Sequence, residues 1–290
     1  MDNTKPIQIR QLRVKQARFR ASGVGALMVG GNAISDNQLG ELAKLQEKEK
    51  GLILHAKTQK PLAMTEKDKK TKADLIAKRD APFELGETAK EFVKSVWRFN
   101  EYGYREVLAT REIMKGHMCE DDALGLVTDV YGDFRMKNKE SFKNNWFTGT
   151  PDILLPERVE DVKTCWSLKT FMNKHSLPEI YTAQAQVYMM LTGREKFSLH
   201  YCLVDTPIEL ILKMERQLLH HYWGDQDSPD YLEAVEQLRD NHNYSDIASM
   251  DRIKTFNLHY DEDYIKELKF RVRVARKYYK TITLNQIDAA

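Results

Sequence analysis

Two carboxylates and one lysine lie close together in the segment GTPDILLPERVEDVK, residues 149–163. Asp152 follows a Gly-Thr-Pro turn, and Asp161 and Lys163 are separated by Val162. Residues two apart on a β-strand project from the same face of the sheet, so Asp161 and Lys163 are directed at one site. Carboxylates bind hard cations such as Mg²⁺, and a neighbouring ammonium group stabilises anionic oxygens. These residue types and this spacing are typical of a metal-dependent centre that hydrolyses phosphodiesters.

A surface hairpin with ordinary solvated charges is the alternative interpretation of this segment. The turn at 156–158 separates the pieces DILL and VEDVK, and it would return Asp152 beside them on a neighbouring strand. The acid-x-Lys triple also occurs at 68–70 and 267–269, in predicted helices. The triple by itself is therefore weak evidence for a catalytic centre.

Two further pairs of residues stand at helical spacing on either side of this segment. Gly116 and Glu120 are four residues apart, as are Gln184 and Tyr188, so each pair shares one helix face. Glycine would permit close approach of a neighbouring element, and the Glu120 carboxylate would reach an adjoining sheet. The alternatives are a solvated helix surface for Glu120 and simple core packing for Tyr188.

The composition excludes several classes of protein. Apolar residues make up 42% of the chain and charged residues 30%, which is typical of a globular protein and excludes extensive disorder. The apolar run at 208–214 is far shorter than the roughly 18 residues of a membrane span, and the N-terminus lacks the apolar core of a secretory signal. We therefore expect a cytoplasmic protein without a membrane partner.

Cysteine spacing and glycine motifs exclude other kinds of site. The chain has three cysteines, Cys119, Cys165 and Cys202, with no CxxC pair. An odd number of separated cysteines argues against a disulfide framework or a cysteine-built zinc or iron–sulfur centre, and favours buried thiols. The phosphate-binding motif GxxxxGK[ST] is missing from the sequence, which argues against an ATP-driven motor.

Basic residues are concentrated near the two ends of the chain. The net charge is only +2, but residues 1–20 contain six basic residues against one acid, and 266–280 contain seven against one. Local basic clusters are typical of phosphate binding, and solvated helix faces are the alternative.

Helices and strands alternate along most of the sequence. The patterns predict helices at about 35–51, 65–80, 86–100, 113–130, 179–193, 208–222 and 262–281. Strand-like pieces are predicted at NWFTG, DILL and VEDVKTCW, and at 197–204 and 252–259. The fold class expected is α/β, with a central mixed β-sheet flanked by helices. The charged helices at 35–85 are predicted to form an added helical hairpin, between a basic arm with the start of the core at 1–34 and the main core at 86–290.

Taken in order, the motifs GxxxE, PD, DxK and QxxxY resemble those of the PD-(D/E)XK nuclease superfamily. More narrowly, they resemble its lambda-exonuclease and YqaJ-type viral recombinase branch. The matching residues are Gly116 and Glu120 in KGHMCEDDA, Pro151 and Asp152 in GTPD, Asp161 and Lys163 in DVK, and Gln184 in YTAQAQVYMMLTG. The resemblance covers residues 86–282 and includes FRAS near the N-terminus. Asp161 stands where many relatives have Glu, which shortens the metal-ligand arm.

The resemblance implies a restriction-endonuclease-like core and a role for each matching residue. It implies that Mg²⁺, with Mn²⁺ as the alternative, is held by Asp152, Asp161, the Val162 carbonyl and Glu120. It implies that Lys163 orients the attacking water and stabilises charge at phosphorus. Gln184 would organise the site, with Gly116 and Tyr188 as structural support.

The function implied is an exonuclease that degrades linear double-stranded DNA, 5′ to 3′, in phage recombination or replication. The expected partners are DNA ends, a single-strand annealing recombinase and two further copies of the chain in a ring, in the host cytoplasm if a phage encodes it. An endonuclease or junction-cutting enzyme on the same fold remains an alternative, as does a non-catalytic DNA-binding or virion-associated protein. Arg20 and Ser22, with Arg18 as an alternative, are candidates to grip a 5′-terminal phosphate. Backbone contacts anywhere along the duplex are the competing interpretation of these arginines.

Overall fold

The computed structural model describes residues 17–133 and 135–288, so residues 1–16 of the predicted basic arm lie outside the described residues. The helices are α1 (Ala21–Val24), α2 (Asp36–Glu49), α3 (Glu66–Asp80), α4 (Glu87–Tyr102), α5 (Arg111–Met118), α6 (Glu120–Tyr131), α7 (Leu168–Met172), α8 (Glu179–Thr192), α9 (Ile208–His221), α10 (Pro229–Asp240) and α11 (Glu262–Asp288). Short 3₁₀ turns span Gly25–Leu27 and Ser249–Arg252. The strands are β1 (Phe19–Arg20), β2 (Phe142–Lys143), β3 (Phe147–Gly149), β4 (Ile153–Leu154), β5 (Arg158–Thr164), β6 (Lys196–Cys202) and β7 (Ile253–His259).

The strands form two mixed sheets with helices packed around them, which confirms the predicted α/β class. One sheet has the order β1-β3-β2, and the other has the order β4-β5-β6-β7. Strand β5 runs parallel to β6, whereas β4 and β7 pair with their neighbours antiparallel. The predicted central mixed sheet is thus divided into these two sheets. Residues 150–152 separate β3 from β4, and Pro151 has no backbone N–H to continue a ladder there.

Strands β5 and β6 are covered on both faces. Val159 and Leu199 belong to the main core together with Val187 of α8. On the opposite face, Val127 of α6 and Cys202 of β6 form a smaller cluster. Six of the seven residues of β6 are buried, as expected for a central strand between two helical layers. The three cysteines are free and buried, as the sequence predicts.

The helical hairpin has a small core of its own. Ser35 and Thr65 form capping boxes at the starts of α2 and α3, which fixes where both helices begin. Between the helices, Leu42, Leu45 and Leu75 make a separate buried cluster. The predicted boundary at 85 stays a prediction, but the chain has already returned to the main core there, because Leu85 and Phe83 pack within it.

Residues 113–130 form two helices instead of the single predicted one. The break lies at Cys119, whose backbone dihedrals (φ −103°, ψ 15°) leave the helical range. Glu120, Asp121 and Asp122 follow at once and occupy the first turn of α6. Acidic side chains stabilise the positive end of a helix dipole, so this cluster favours a new helix start.

Two arginines of the C-terminal basic cluster fasten the N-terminal segment to α11. Arg276 donates hydrogen bonds to the carbonyls of Ala17 and Asn145. Arg271 donates to the carbonyls of Leu27 and Met28 at 3.1 and 3.3 Å. These two guanidinium groups are therefore engaged by backbone, which corrects their interpretation as part of a phosphate-binding face. Within the described ranges, no helix is both long enough and apolar enough to cross a bilayer.

Candidate active site

Asp152 lies beside β5 because β4 and β5 form the predicted antiparallel hairpin. Ile153 is paired with Glu160 in this hairpin, so the residue before β4 faces the later part of β5. The Oδ2 atom of Asp152 accepts a hydrogen bond from the Val162 N–H at 2.9 Å. The backbone carbonyl of Asp152 accepts from the Asn138 N–H at 2.7 Å. The Asp152 carboxylate is therefore held at a fixed place against β5.

Asp161 and Lys163 project from the same face of β5, as the alternation of the strand predicts. Asp161 is only 1% exposed, and its Oδ1 accepts a hydrogen bond from Gln184 Nε2 at 3.3 Å. Its Oδ2 contacts the Lys163 ammonium as an ion pair, and among the described residues no other group donates a hydrogen bond to this atom. A buried carboxylate oxygen with one cationic neighbour retains lone pairs for a further cation.

The electrostatics of the site are those of crowded carboxylates. Burial, together with repulsion from the Asp161 carboxylate, raises the pKa of Asp152 to about 7. Burial also disfavours the charged form of Lys163, but Asp161 and Asp152 outweigh it, so the pKa of Lys163 is raised above its ordinary value. Lys163 is therefore an ammonium at neutral pH and supplies positive charge to the site.

Helix α8 supports Asp161 through a chain of hydrogen bonds. Gln184 Nε2 also donates to the Tyr188 hydroxyl at 3.1 Å, and that hydroxyl donates to the Thr150 carbonyl at 3.1 Å. The close approach of α8 depends on Gly149, where an added Cβ would come within 2.7 Å of the Tyr188 ring. The predicted Gln184–Tyr188 pair is thus in contact, and it connects Asp161 to the segment that carries Asp152.

Four of the predicted site residues line one cavity of about 560 Å³ between α5, α6 and β5, and Gly116 lies in its wall with them. The lining residues include Gly116, His117, Glu120, Asp152, Val162, Lys163, Trp166, Thr170, Lys174, Tyr181 and Tyr201. Asp161, Gln184 and Tyr188 are buried behind this wall. A cavity of this volume falls in the range of small-ligand sites, roughly 300–1,000 Å³.

Gly116 does not have the packing role expected from its position. An added Cβ there would meet no atom within 4 Å, so no neighbouring element approaches it. Gly116 and Glu120 also belong to consecutive helices, because the chain breaks at Cys119. The close-packing glycine of this region is Gly149, which the sequence analysis did not single out.

Glu120 lies at the mouth of the cavity and is paired with a lysine that the sequence analysis missed. Its Oε2 atom is 2.7 Å from the Nζ of Lys137. No spacing motif identifies Lys137, because it lies in an irregular segment 17 residues after Glu120 and 15 before Asp152. The sequence hinted at a role for Lys137 only through its residue type, because lysine is the ordinary counter-ion of a carboxylate.

Arg18, Arg20 and Ser22 are not among the residues that line the cavity. Arg18 donates from Nε to the Asn144 carbonyl at 2.7 Å, so it holds the segment before β3. Arg20 and Ser22 are exposed. Arg20 is paired with Thr148 in the sheet, four residues before Asp152, so its backbone lies near the segment that carries Asp152.

The donor set of the site fits a hard divalent cation. Asp152 and Asp161 offer carboxylate oxygens beside the Val162 backbone, and these are ligands that Mg²⁺ prefers. The buried Oδ2 of Asp161, which is paired with the Lys163 ammonium, and the raised pKa of Asp152 both mark a place where positive charge is favoured. In the part of the chain that the structure describes, no three His, Cys, Asp or Glu side chains form a ready metal-binding group. Glu120, the third carboxylate, is turned to Lys137 instead.

Comparison with solved structures found similar folds, although no family model and no curated protein matches the sequence. A phage-related exonuclease from Haemophilus somnus 129PT is 24% identical, and the match covers 83% of this chain and 95% of that chain with a TM-score of 0.53. The alkaline exonuclease LHK-Exo from Laribacter hongkongensis, alone and in complex with dAMP, is 14% and 13% identical. Both LHK-Exo matches cover 71% of this chain and 88% of that chain, with a TM-score of 0.46. The chain therefore has the α/β fold of a phage-related exonuclease, in agreement with the motif resemblance.

Proposed function

We propose that this chain is a metal-dependent DNA exonuclease that hydrolyses linear double-stranded DNA. The observation that carries the proposal is the meeting of Asp152 and Lys163 in one cavity wall with Asp161 directly behind them, where Gln184 is bonded to Asp161. The fold likeness to a phage-related exonuclease supports the same class of reaction. Polarity from the 5′ end and a role in phage recombination follow from the motif resemblance.

The residues proposed to hold Mg²⁺, or Mn²⁺ in its place, are Asp152, Asp161 and the Val162 carbonyl, with Glu120 as a further ligand. Such a cation supplies an acidified water and neutralises charge on the phosphoryl oxygens. Gln184 keeps Asp161 in position through its hydrogen bond to Oδ1. The Val162 N–H does the same for Asp152.

Lys163 acts in this proposal as a fixed positive charge. Despite its burial, the charges of Asp161 and Asp152 raise its pKa, so Lys163 is an ammonium in the free protein. An ammonium can donate hydrogen bonds to the attacking water and to a phosphoryl oxygen. Lys163 therefore orients the water and stabilises the charge that develops at phosphorus.

The partners proposed are the ends of duplex DNA, a single-strand annealing recombinase and further copies of this chain. The duplex end is the substrate that an exonuclease requires. The recombinase, the ring of three chains and the host cytoplasm rest on the motif resemblance alone.

The test compares linear duplex DNA with covalently closed circular duplex DNA, each incubated with the protein and Mg²⁺. Loss of the linear DNA alone supports the exonuclease. Loss of both forms would support an endonuclease or junction-cutting enzyme, and loss of neither would support a non-catalytic DNA-binding protein. Parallel reactions with EDTA establish whether cleavage depends on a divalent cation.

A matched pair of variants tests whether the activity belongs to this site. Asp161→Asn keeps the shape of the side chain and removes its charge, so it should abolish cleavage in every reaction. Lys139→Met changes an exposed lysine and should cleave like the wild type. Activity in Asp161→Asn equal to that of Lys139→Met would contradict the assignment of the cleavage to this site.

A further inference from the structure

The third carboxylate of the candidate site already has a cationic partner. Lys137 Nζ lies 2.7 Å from Glu120 Oε2, and the side chains are 42% and 35% exposed. The hydrogen bond to Glu120, and then the charges of Glu120, Asp121 and Asp152, raise the pKa of Lys137. The ammonium group therefore lies in the field of the site carboxylates and not only beside Glu120.

The backbone around Lys137 is fixed on both sides. Two residues earlier, the side chain of Arg135 donates to Glu160 at 2.7 Å in a buried ion pair. One residue later, Asn138 donates from its side chain to the Pro151 carbonyl at 3.0 Å and from its backbone N–H to Asp152. Lys137 itself forms an isolated β-bridge with Ile153. The position of Lys137 beside Asp152 is thus set by the fold and not by the ion pair with Glu120.

A cation held by Asp152 and Asp161 would compete with Lys137 for Glu120. A carboxylate in a 2.7 Å contact with an ammonium must give up that contact before it can bind a metal. The pair is partly exposed, and exposed ion pairs contribute roughly 0.2–1 kcal/mol. The free energy needed to separate Glu120 from Lys137 is therefore small enough for metal binding to supply. It is also large enough to change the measured metal affinity.

We propose that Lys137 is a positioning residue that holds Glu120 away from the metal ligands Asp152 and Asp161 and releases it when a divalent cation binds. This inference rests on the proposed function, because it requires a metal site at these carboxylates. Lys137 acts through Glu120, so its effect on metal binding must disappear when Glu120 cannot bind metal.

The experiment is a double-mutant cycle on Mn²⁺ binding, measured by calorimetry or electron paramagnetic resonance without DNA. Lys137→Met should tighten Mn²⁺ binding by about 1.4- to 5-fold, which is the fold-change equivalent of an exposed ion pair. Glu120→Gln should weaken binding. In the Glu120→Gln background, Lys137→Met should cause no further change.

Two controls identify the source of the effect. Lys139→Met removes an exposed lysine two residues away and should leave Mn²⁺ affinity unchanged. Lys137→Arg keeps the charge and should behave like the wild type. Equal tightening by Lys137→Met in both backgrounds would overturn the inference, because it would reflect net charge alone.

The outcomes separate this inference from the proposed function. Mn²⁺ binding by the wild type with no effect of Lys137→Met would overturn the inference and leave the proposed nuclease intact. The absence of Mn²⁺ binding by the wild type, together with the absence of Mg²⁺-dependent DNA cleavage, would overturn both.

Discussion

At the scale of single residues, the carboxylates of the candidate site lie close enough to repel each other. Two lysines partly neutralise their negative charge. Lys163 contacts Asp161, and Lys137 contacts Glu120. Asp152 accepts a hydrogen bond from the Val162 N–H, and its pKa is raised to about 7. Asp152 is therefore the carboxylate for which a bound cation would bring the largest gain.

Asp152→Ala and Asp161→Ala should each abolish cleavage without unfolding the protein. Each variant removes one of the two carboxylates proposed to hold the metal. We expect losses of about 10²-fold or more in kcat, the size of effect seen when a charge-stabilising group is removed.

Lys163→Met should lower kcat without lowering Mn²⁺ affinity, because an ammonium is not a metal ligand. Single-turnover kinetics with titrated metal would separate the two effects, and full activity in either aspartate variant would contradict the assignment.

Asp152→Asn should stabilise the fold at alkaline pH when divalent cations are chelated. The folded protein binds a proton at Asp152 more tightly than the unfolded chain does, because the pKa is raised from 3.8 to about 7. Stability is therefore lost as the pH rises from about 4 through 7. We expect Asp152→Asn to exceed the wild type by about 1–3 kcal/mol in free energy of unfolding at pH 8, with no difference below pH 4.

Denaturant unfolding in EDTA at both pH values checks this expectation. Excess Mg²⁺ should raise the stability of the wild type and not that of Asp152→Asn, since a ligand stabilises only the state that binds it. A destabilised Asp152→Asn protein at pH 8 would show that the buried carboxylate is satisfied by its hydrogen bond alone.

Arg20 should distinguish the kinds of DNA end. If Arg20 and Ser22 grip a terminal phosphate, duplex with a 5′-phosphate should be degraded faster than duplex with a 5′-hydroxyl. Arg20→Ala should remove that preference more than it slows the 5′-hydroxyl substrate. Equal rates on both ends, or a uniform slowing with a weaker salt dependence, would indicate contacts to the DNA backbone in general.

At the scale of secondary-structure elements, the site is made by a β-hairpin that packs against α8. The β4–β5 hairpin carries the two aspartates, and α8 supplies Gln184 and Tyr188. Strand β3, which precedes the hairpin, meets α8 at Gly149, where the Tyr188 ring and the Ala21 methyl group leave no space for a side chain.

Gly149→Ala and Gly116→Ala should have opposite effects on stability. An added Cβ at Gly149 would lie 2.7 Å from Tyr188 and 3.0 Å from Ala21, and overpacking of this kind costs about 1–3 kcal/mol. At Gly116 nothing lies within 4 Å, and alanine is the better helix former by about 0.5–1 kcal/mol. Thermal unfolding of the two variants compares them directly. A stable Gly149→Ala protein would show that α8 can move away from β3.

The start points of several elements could be predicted because their signals are local. Ser35 and Thr65 cap α2 and α3 where the sequence predicts, and Gly193 follows the end of α8. The break at Cys119 was missed because the apolar pattern continues across it. The helix at Pro229–Asp240 was also missed, although Ser228 and Pro229 are a local signal for a helix start.

At the scale of the whole molecule, the two ends of the described chain are joined. Arg276 of α11 donates to the Ala17 carbonyl across 259 residues of sequence. The same arginine lies over the Trp146 ring, beside the strand that precedes the site. The C-terminal helix therefore holds the N-terminal segment and the entry to β3 together.

The ring of three chains is tested by the mass of the particle in solution. A trimer should have about three times the 33.8 kDa mass of the chain in light scattering coupled to gel filtration. A closed ring keeps a processive enzyme on its DNA. A monomer at working concentrations would remove the ring and leave the proposed chemistry unchanged, and deletion of the hairpin at 36–80 would then test whether it blocks assembly.

The sequence by itself determined the alternation of Asp161 and Lys163 on one strand, the turn that returns Asp152 and the face shared by Gln184 and Tyr188. Each depends on a spacing of two to ten residues, where backbone geometry fixes which side chains meet. Tertiary structure alone decided that Glu120 pairs with Lys137. It also decided that Gly149, and not Gly116, is tightly packed. It likewise decided that Arg271 and Arg276 bind backbone carbonyls. These contacts join segments far apart in the chain, and their energy depends on which surfaces the whole fold buries against each other.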